Sequence, residues 1–297
     1  MLGYNLKSNA IRCGKYDGVK GKCDKDSDIG LVAVKFDLSM TIQDILRING
    51  ARGHKESTPI YLEKAYSIYK PNKRAWKTMC KKLKRIVDRT PYETAFCIDS
   101  IYKSKIKEMI DGLSSAERGL VELFDKDGKK HIKFHDDSVK TLLTKEGEML
   151  EVHIFNICVA SGLFDDVATG YEIKWENGNV TNEFDLLATS GLKSAFAEIK
   201  ATSEYEEDGK WVSGLKQEYY EKLESLDCKF GINSSEFIIN NSADIRISNE
   251  IDEGKKRAIE NNNRQISRGE QFDIKTILKD ELEKTPKIIF DKMNGLR

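Results

Sequence analysis

The sequence lacks several things, and each absence removes a class of protein. No apolar run approaches the ~18 residues of a membrane span. The opening residues Met1–Ala10 carry no signal-peptide core. Six cysteines (13, 23, 80, 97, 158 and 228) form no C-x-x-C pair and no framework spacing, the pattern of reduced thiols in a cytoplasmic protein. There is no internal repeat and no low-complexity tract. Net charge is also missing: 49 basic residues balance 49 acidic ones. As a single number, that zero argues against a partner of one sign.

The zero is a sum of opposites. Residues 1–140 hold 29 basic and 19 acidic side chains, and residues 141–297 hold 20 and 30, so the halves stand at +10 and −10. Such asymmetry points to two modules with different partners. With 39% hydrophobic and 9% aromatic residues, both halves can build cores. The division expected is 1–140, a basic N-terminal module, and 141–297, a second domain.

In the first half, residues 1–36 read as a twisted hairpin and Thr41–Ile48 as a short helix stopped near Gly50. Over 72–88, Trp76, Met79, Cys80, Leu83, Ile86 and Val87 recur at helical spacing. Around them lie Lys73, Arg74, Lys77, Lys81, Lys82, Lys84 and Arg85, with Asp88 as the one acid. A face of one sign repels itself unless a partner of opposite charge covers it, so these seven are the candidate phosphate contacts for nucleic acid. A solvated polar face is the plainer reading. Beyond it, Ser114-x-x-Glu117 predicts a capped helix over 116–124, Asp127-Gly128 a turn, 131–135 a strand and 137–143 a helix. Helix, strand and helix in that order suit a small winged-helix-like unit.

The second half predicts a mixed sheet flanked by helices. The order is helix 146–161, strands 169–176, 180–189 and 194–201, helix 213–227, strand 236–241, helix 252–262, strand 264–267 and helix 272–284. Asn177-Gly178 marks the first turn. Gly191-Leu192 suits a two-residue type II′ loop, and that loop fixes the register of the hairpin around it. Asp185 then faces Glu198, and Glu183 faces Lys200, all on one side. Phe184, Leu186 and Ala188, with Ala195, Ala197 and Ile199, form the apolar reverse side. Two facing carboxylates repel unless a cation lies between them, and a hard divalent ion suits oxygen ligands. The main-chain carbonyl of Ile199 adds another oxygen. Lys200 would then neutralise charge on a scissile phosphate. Glu151, on the preceding helix, could complete the shell. A solvated hairpin face with incidental charges is the alternative.

These residues carry a resemblance. Gly147-Glu148-Met149-Leu150-Glu151, Asn182-Glu183-Phe184-Asp185 and Glu198-Ile199-Lys200 resemble the PD-(D/E)xK nuclease motif. More narrowly they are similar to the restriction-endonuclease-like domain of the CRISPR-associated, cyclic-oligoadenylate-activated CARF nucleases. Met149 stands where that family has Trp, and Ile199 where it has Cys. The likeness extends through Tyr219–Leu223, Phe230-Gly231 and Phe237–Ile239. It implies an α/β nuclease domain whose metal, Mg²⁺ or Mn²⁺, is held by Asp185, Glu198, Glu151 and the Ile199 carbonyl. Lys200 would be the electrostatic stabiliser, and Glu183 would position Lys200 or a second water. It further implies a homodimer, a cyclic oligoadenylate activator and a DNA or RNA substrate. The activator's Rossmann-like sensor has only Leu38–Ile42 and Gly50 as its counterpart. The expected function is therefore a metal-dependent endonuclease of antiviral defence. The alternatives are a nucleic-acid-binding protein of nuclease fold that does not cut, and a subunit that needs a partner.

Overall fold

The computed structural model describes residues 39–54, 61–115, 119–145, 147–175, 181–201, 204–207, 210–230, 234–241 and 252–295, with five short strands before them. Those strands are β1 (Leu2–Asn5), β2 (Ala10–Cys13), β3 (Lys15–Asp17), β4 (Lys22–Asp24) and β5 (Val34–Lys35). They pair antiparallel, β1 with β2, β2 with β5 and β3 with β4.

Helix α1 (Ile42–Ile48) begins at a reciprocal cap. The Thr41 hydroxyl accepts from the Asp44 N–H at 3.2 Å, and the Asp44 carboxylate accepts from the Thr41 N–H at 3.1 Å. The helix stops at Gly50, whose φ of +68° a side chain rarely adopts. Strand β6 (Ala51–His54) follows. A helical module comes next: α2 (Tyr61–Tyr69), a 3₁₀ turn (Lys70–Asn72), α3 (Lys73–Arg89), β7 (Phe96–Cys97), α4 (Ser104–Ser114), β8 (Val121–Lys126), β9 (Lys129–Phe134) and α5 (Asp137–Thr144). Its core gathers Trp76, Met79, Cys80 and Leu83 of α3 with Met109, Ile110 and Leu113 of α4.

The helix expected over 116–124 is not formed: 121–126 is strand β8. Asp127 and Gly128 both have positive φ (53° and 70°), as a type I′ turn requires. Such a turn joins two paired strands, so the residues before it extend as β9 does.

The remaining elements are α6 (Glu148–Ser161), β10 (Asp166–Trp175), β11 (Thr181–Ser190), β12 (Lys193–Lys200), β13 (Glu204–Glu207), β14 (Lys210–Ser213), α7 (Gln217–Phe230), β15 (Ser234–Asn240), α8 (Glu253–Gln271), β16 (Lys275–Ile277), a 3₁₀ turn (Lys279–Lys284) and α9 (Thr285–Asn294). The turn expected at Asn177-Gly178 lies outside the described residues. The strand expected over 264–267 lies inside α8, and the third parallel strand comes ten residues later as β16. Asn262 explains the misreading. A polar residue in a run of asparagines looks like a helix stop, yet it is buried, and its side-chain oxygen accepts from the Leu215 N–H (3.1 Å) and the Ser213 hydroxyl (2.5 Å). The helix expected over 272–284 is displaced in the same way, to 285–294.

A six-stranded sheet runs in the order β16-β15-β12-β11-β10-β6. Strands β6, β10, β11 and β12 are antiparallel to their neighbours, and β12, β15 and β16 are parallel. Helices cover both faces. On one, α6 and α9 pack on Leu186, Ala188, Ala195, Ala197 and Ile199. On the other, α1 and α7 pack on Tyr171, Phe184, Leu187 and Phe196. Packing crosses residue 140: α1 and β6 join this sheet, and Met149 of α6 enters the helical module's core.

Candidate active site

Three elements bring the carboxylates together: the β11–β12 hairpin, the N-terminal turn of α6 and, through a lysine, α7. The hairpin has the register that its loop predicts. Ser190 pairs with Lys193 and Leu186 with Ala197, and Gly191 has φ +59°. Beyond that last pair the ladder ends and side chains take over. Asp185 Oδ2 accepts from the Ile199 N–H at 2.6 Å and from Lys200 Nζ at 3.1 Å. Lys200 Nζ also donates to Glu198 Oε2 at 2.9 Å. Lys200 therefore bridges the two acids.

Phe184 departs from expectation. It faces Leu187 and Phe196, not Leu186 and Ala188. The cause lies on the neighbouring strand. Gly170 of β10 stands across from Asp185 with φ +57°, and the pairing of β10 with β11 skips that position. Both strands lose one step of alternation there. The slip separates Glu183 from the bridge. Glu183 pairs with Glu172 of β10, is exposed, and acts on the α6 carboxylates instead.

The electrostatics follow from crowding. Burial, and after it the charges of Asp185 and Glu148, push Glu151 up to about 9. Burial also raises Glu148, against the pull of Lys145 and with the push of Asp185 and Glu183. Asp185 is raised by burial and by Glu198, with Lys200 and the Ile199 N–H pulling it back. Burial disfavours the Lys200 ammonium, but the two acids outweigh it and hold the lysine above its usual range.

Lys222 of α7 is a member of this cluster that sequence reading did not single out. Its Nζ donates to Glu198 Oε1 and to the Glu183 carbonyl, and lies 4.5 Å from the Phe184 ring centre. Tyr219, one turn earlier, lies under Lys200 at 4.7 Å. A Tyr-x-x-Lys step on a helix was the only signal, and nothing local says which strand it reaches. The seven basic residues of α3 lie elsewhere, along the helical module, with Lys73 in an ion pair with Glu283.

Among the described residues, no group of three or more His, Cys, Asp or Glu side chains is arranged to hold a metal ion. The donor chemistry still suits a hard divalent cation. All donors are carboxylate or carbonyl oxygens, and both hydrogen bonds to Asp185 use Oδ2. Within a strand, the N–H and C=O of one residue point the same way. The Ile199 N–H reaches Asp185, so its carbonyl lies on that edge too.

No family model and no curated protein matches the sequence. Solved structures do match. One is protein VC1899 from Vibrio cholerae, at 16% identity and a TM-score of 0.64, covering 100% of this chain and 70% of that one. Another is Can2 from Sulfobacillus thermosulfidooxidans, solved in complex with cyclic tetra-adenylate, at 14% identity and a TM-score of 0.55, covering 99% and 68%. At these identities the likeness is one of fold: the chain shares with both proteins a mixed α/β architecture of sheets flanked by helices.

Proposed function

We propose that this chain is a metal-dependent endonuclease that hydrolyses phosphodiester bonds of DNA or RNA. The observation that carries the reading is the convergence of Asp185, Glu198, Lys200 and Glu151 at the end of the β11–β12 hairpin. In this reading the six-stranded sheet and its helices are a restriction-endonuclease-like domain, and the helical module is a winged-helix-like unit that holds nucleic acid. Asp185, Glu198, Glu151 and the Ile199 carbonyl would hold Mg²⁺ or Mn²⁺. Such an ion supplies Lewis-acid charge at a phosphoryl group. Lys200, kept protonated by its two acids, offsets negative charge that builds on the phosphate in the transition state. Glu183 sits at the edge of the cluster, within electrostatic reach of Glu151, and orients water there. Tyr219 fixes the Lys200 ammonium from below.

The test is cleavage of plasmid and single-stranded DNA and RNA with Mg²⁺ or Mn²⁺. Wild type cuts, and Asp185→Ala loses about a thousandfold in rate because the group acts as a unit with its neighbours. Failure of the wild type to cut with either metal sinks the reading. The fold likeness to a protein solved with cyclic tetra-adenylate supports adding that ligand as one arm, with a homodimer as the active form. A second reading, a protein that binds without cutting, draws on the two lysines: Lys200 and Lys222 already satisfy both Glu198 oxygens within the chain. Metal-independent binding with no cutting in any arm would favour it.

A further inference from the structure

A cleft of about 580 Å³ opens between α3, α6 and the 3₁₀ turn before α9. That volume is in the range that encloses a small ligand or one unit of a larger one. Four cations line it, Lys73, Arg74, Lys77 and Lys279, against one carboxylate, Glu283. Three of the four stand at the start of α3, where the helix dipole is already positive and no acid occupies the first turn. Cations are disfavoured at that end of a helix, so the arrangement suits an incoming anion. Among the described residues, Arg74 and Lys279 have no ion-pair partner. Lys73 has one, because Glu283 holds it, and that carboxylate is 66% exposed.

One further observation relates the cleft to the carboxylates. Two of its lining residues neighbour the carboxylate cluster along the backbone. Leu150 lines it and precedes Glu151, and Asn241 lines it while its main-chain N–H donates to the Lys200 carbonyl at 3.1 Å. Trp76, a buried residue, also lines it, and among the described residues its indole N–H has no hydrogen-bond partner.

We propose that the cleft seats a nucleotide unit of the substrate strand, its phosphate held by Lys73, Arg74, Lys77 and Lys279. Glu283 is the stand-in for that phosphate and gives up Lys73 when the strand enters. The proposal rests on the nuclease reading for the identity of the strand. It narrows the basic helix to its start and adds Lys279 and Glu283, which come from outside the basic pattern.

The experiment measures binding of a short labelled single-stranded oligonucleotide, DNA or RNA, to the full chain in EDTA, so that no cutting intervenes. Losing two phosphate contacts in Arg74→Ala/Lys279→Ala weakens binding about tenfold or more and flattens its salt dependence. Glu283→Gln tightens it about threefold by removing a competing anion, a gain that a merely structural Glu283 would not give. Lys103→Ala/Lys105→Ala, an equal loss of charge at the start of α4, changes it by less than about twofold. Arg74 and Glu283 are exposed, so their single variants keep the fold, which circular dichroism checks. Wild-type binding by the folded double variant overturns the proposal. Adenosine monophosphate separates the two sources of a nucleotide phosphate. Weak competition with the oligonucleotide supports the strand, whereas tight binding without competition marks a free-nucleotide site and overturns it. If cleavage fails with Mg²⁺ and Mn²⁺ while these effects hold, the nuclease reading falls and the strand-binding cleft stands.

Discussion

Glu198 is almost fully buried and is met by two ammonium groups, Lys200 from its own strand and Lys222 from α7. Removing one of them exposes what each contributes. Lys222→Met leaves one oxygen of a buried carboxylate without its cation. It should lower stability by about 2 kcal/mol, measured by chemical denaturation in EDTA. Mn²⁺ should recover more stability in the variant than in wild type, since the ion then meets a carboxylate that lacks a partner. Gly170 tests the other side of the cluster. An added Cβ at this position meets nothing within 4 Å, so Gly170→Ala pays only for φ +57°, about 1 kcal/mol. Cleavage should fall further than that loss of stability accounts for, because the kink that aims Asp185 relaxes. The register that brings Asp185 and Glu198 to the same end of the hairpin was legible in the sequence, since Gly191-Leu192 sets the register of its own hairpin. The slip at Phe184 was not, since its cause sits on β10. Lys222 was not, since helix periodicity says which residues share a face and nothing about what that face meets.

Elements were legible where local chemistry closes on itself. Thr41 and Asp44 cap α1 within four residues, and α3 follows from its apolar spacing alone. The reading failed where a distant partner decides. Strand β8 exists because β9 pairs with it, and α8 runs on past Asn262 because Ser213 and Leu215, some fifty residues earlier, satisfy that side chain. Gly269 shows how closely α8 is fitted. A Cβ there would stand 2.3 Å from Tyr220 Cε1, inside the buried ring of α7. Gly269→Ala should therefore cost about 2–3 kcal/mol and lower the melting temperature by several degrees, as overpacking in a core does. An unchanged melting temperature would mean that α7 and α8 slide apart freely.

At the scale of the whole molecule, α6 ties the halves together. Met149 enters the helical module's core, Leu150 and Ile154 enter the sheet's, and Glu151 between them belongs to the carboxylates. His153 stands 2.9 Å from Lys73 Nζ and 3.1 Å from Glu283 Oε1, and so touches both modules. The basic cleft and the acidic cluster thus share one helix. Strand β12 has a consequence in time as well as in space. It is bonded to β11 on one edge and β15 on the other, and Ser194–Ile199 are all buried. Amide hydrogens in such a strand exchange with solvent only when the whole domain opens. Glu198 and Lys200 are therefore set on the slowest clock in the molecule. Exchange measured by mass spectrometry should find the β12 amides the last to take up deuterium, and thermal loss of activity should track global unfolding. Fast exchange at Glu198 would show instead that the site breathes apart from its sheet.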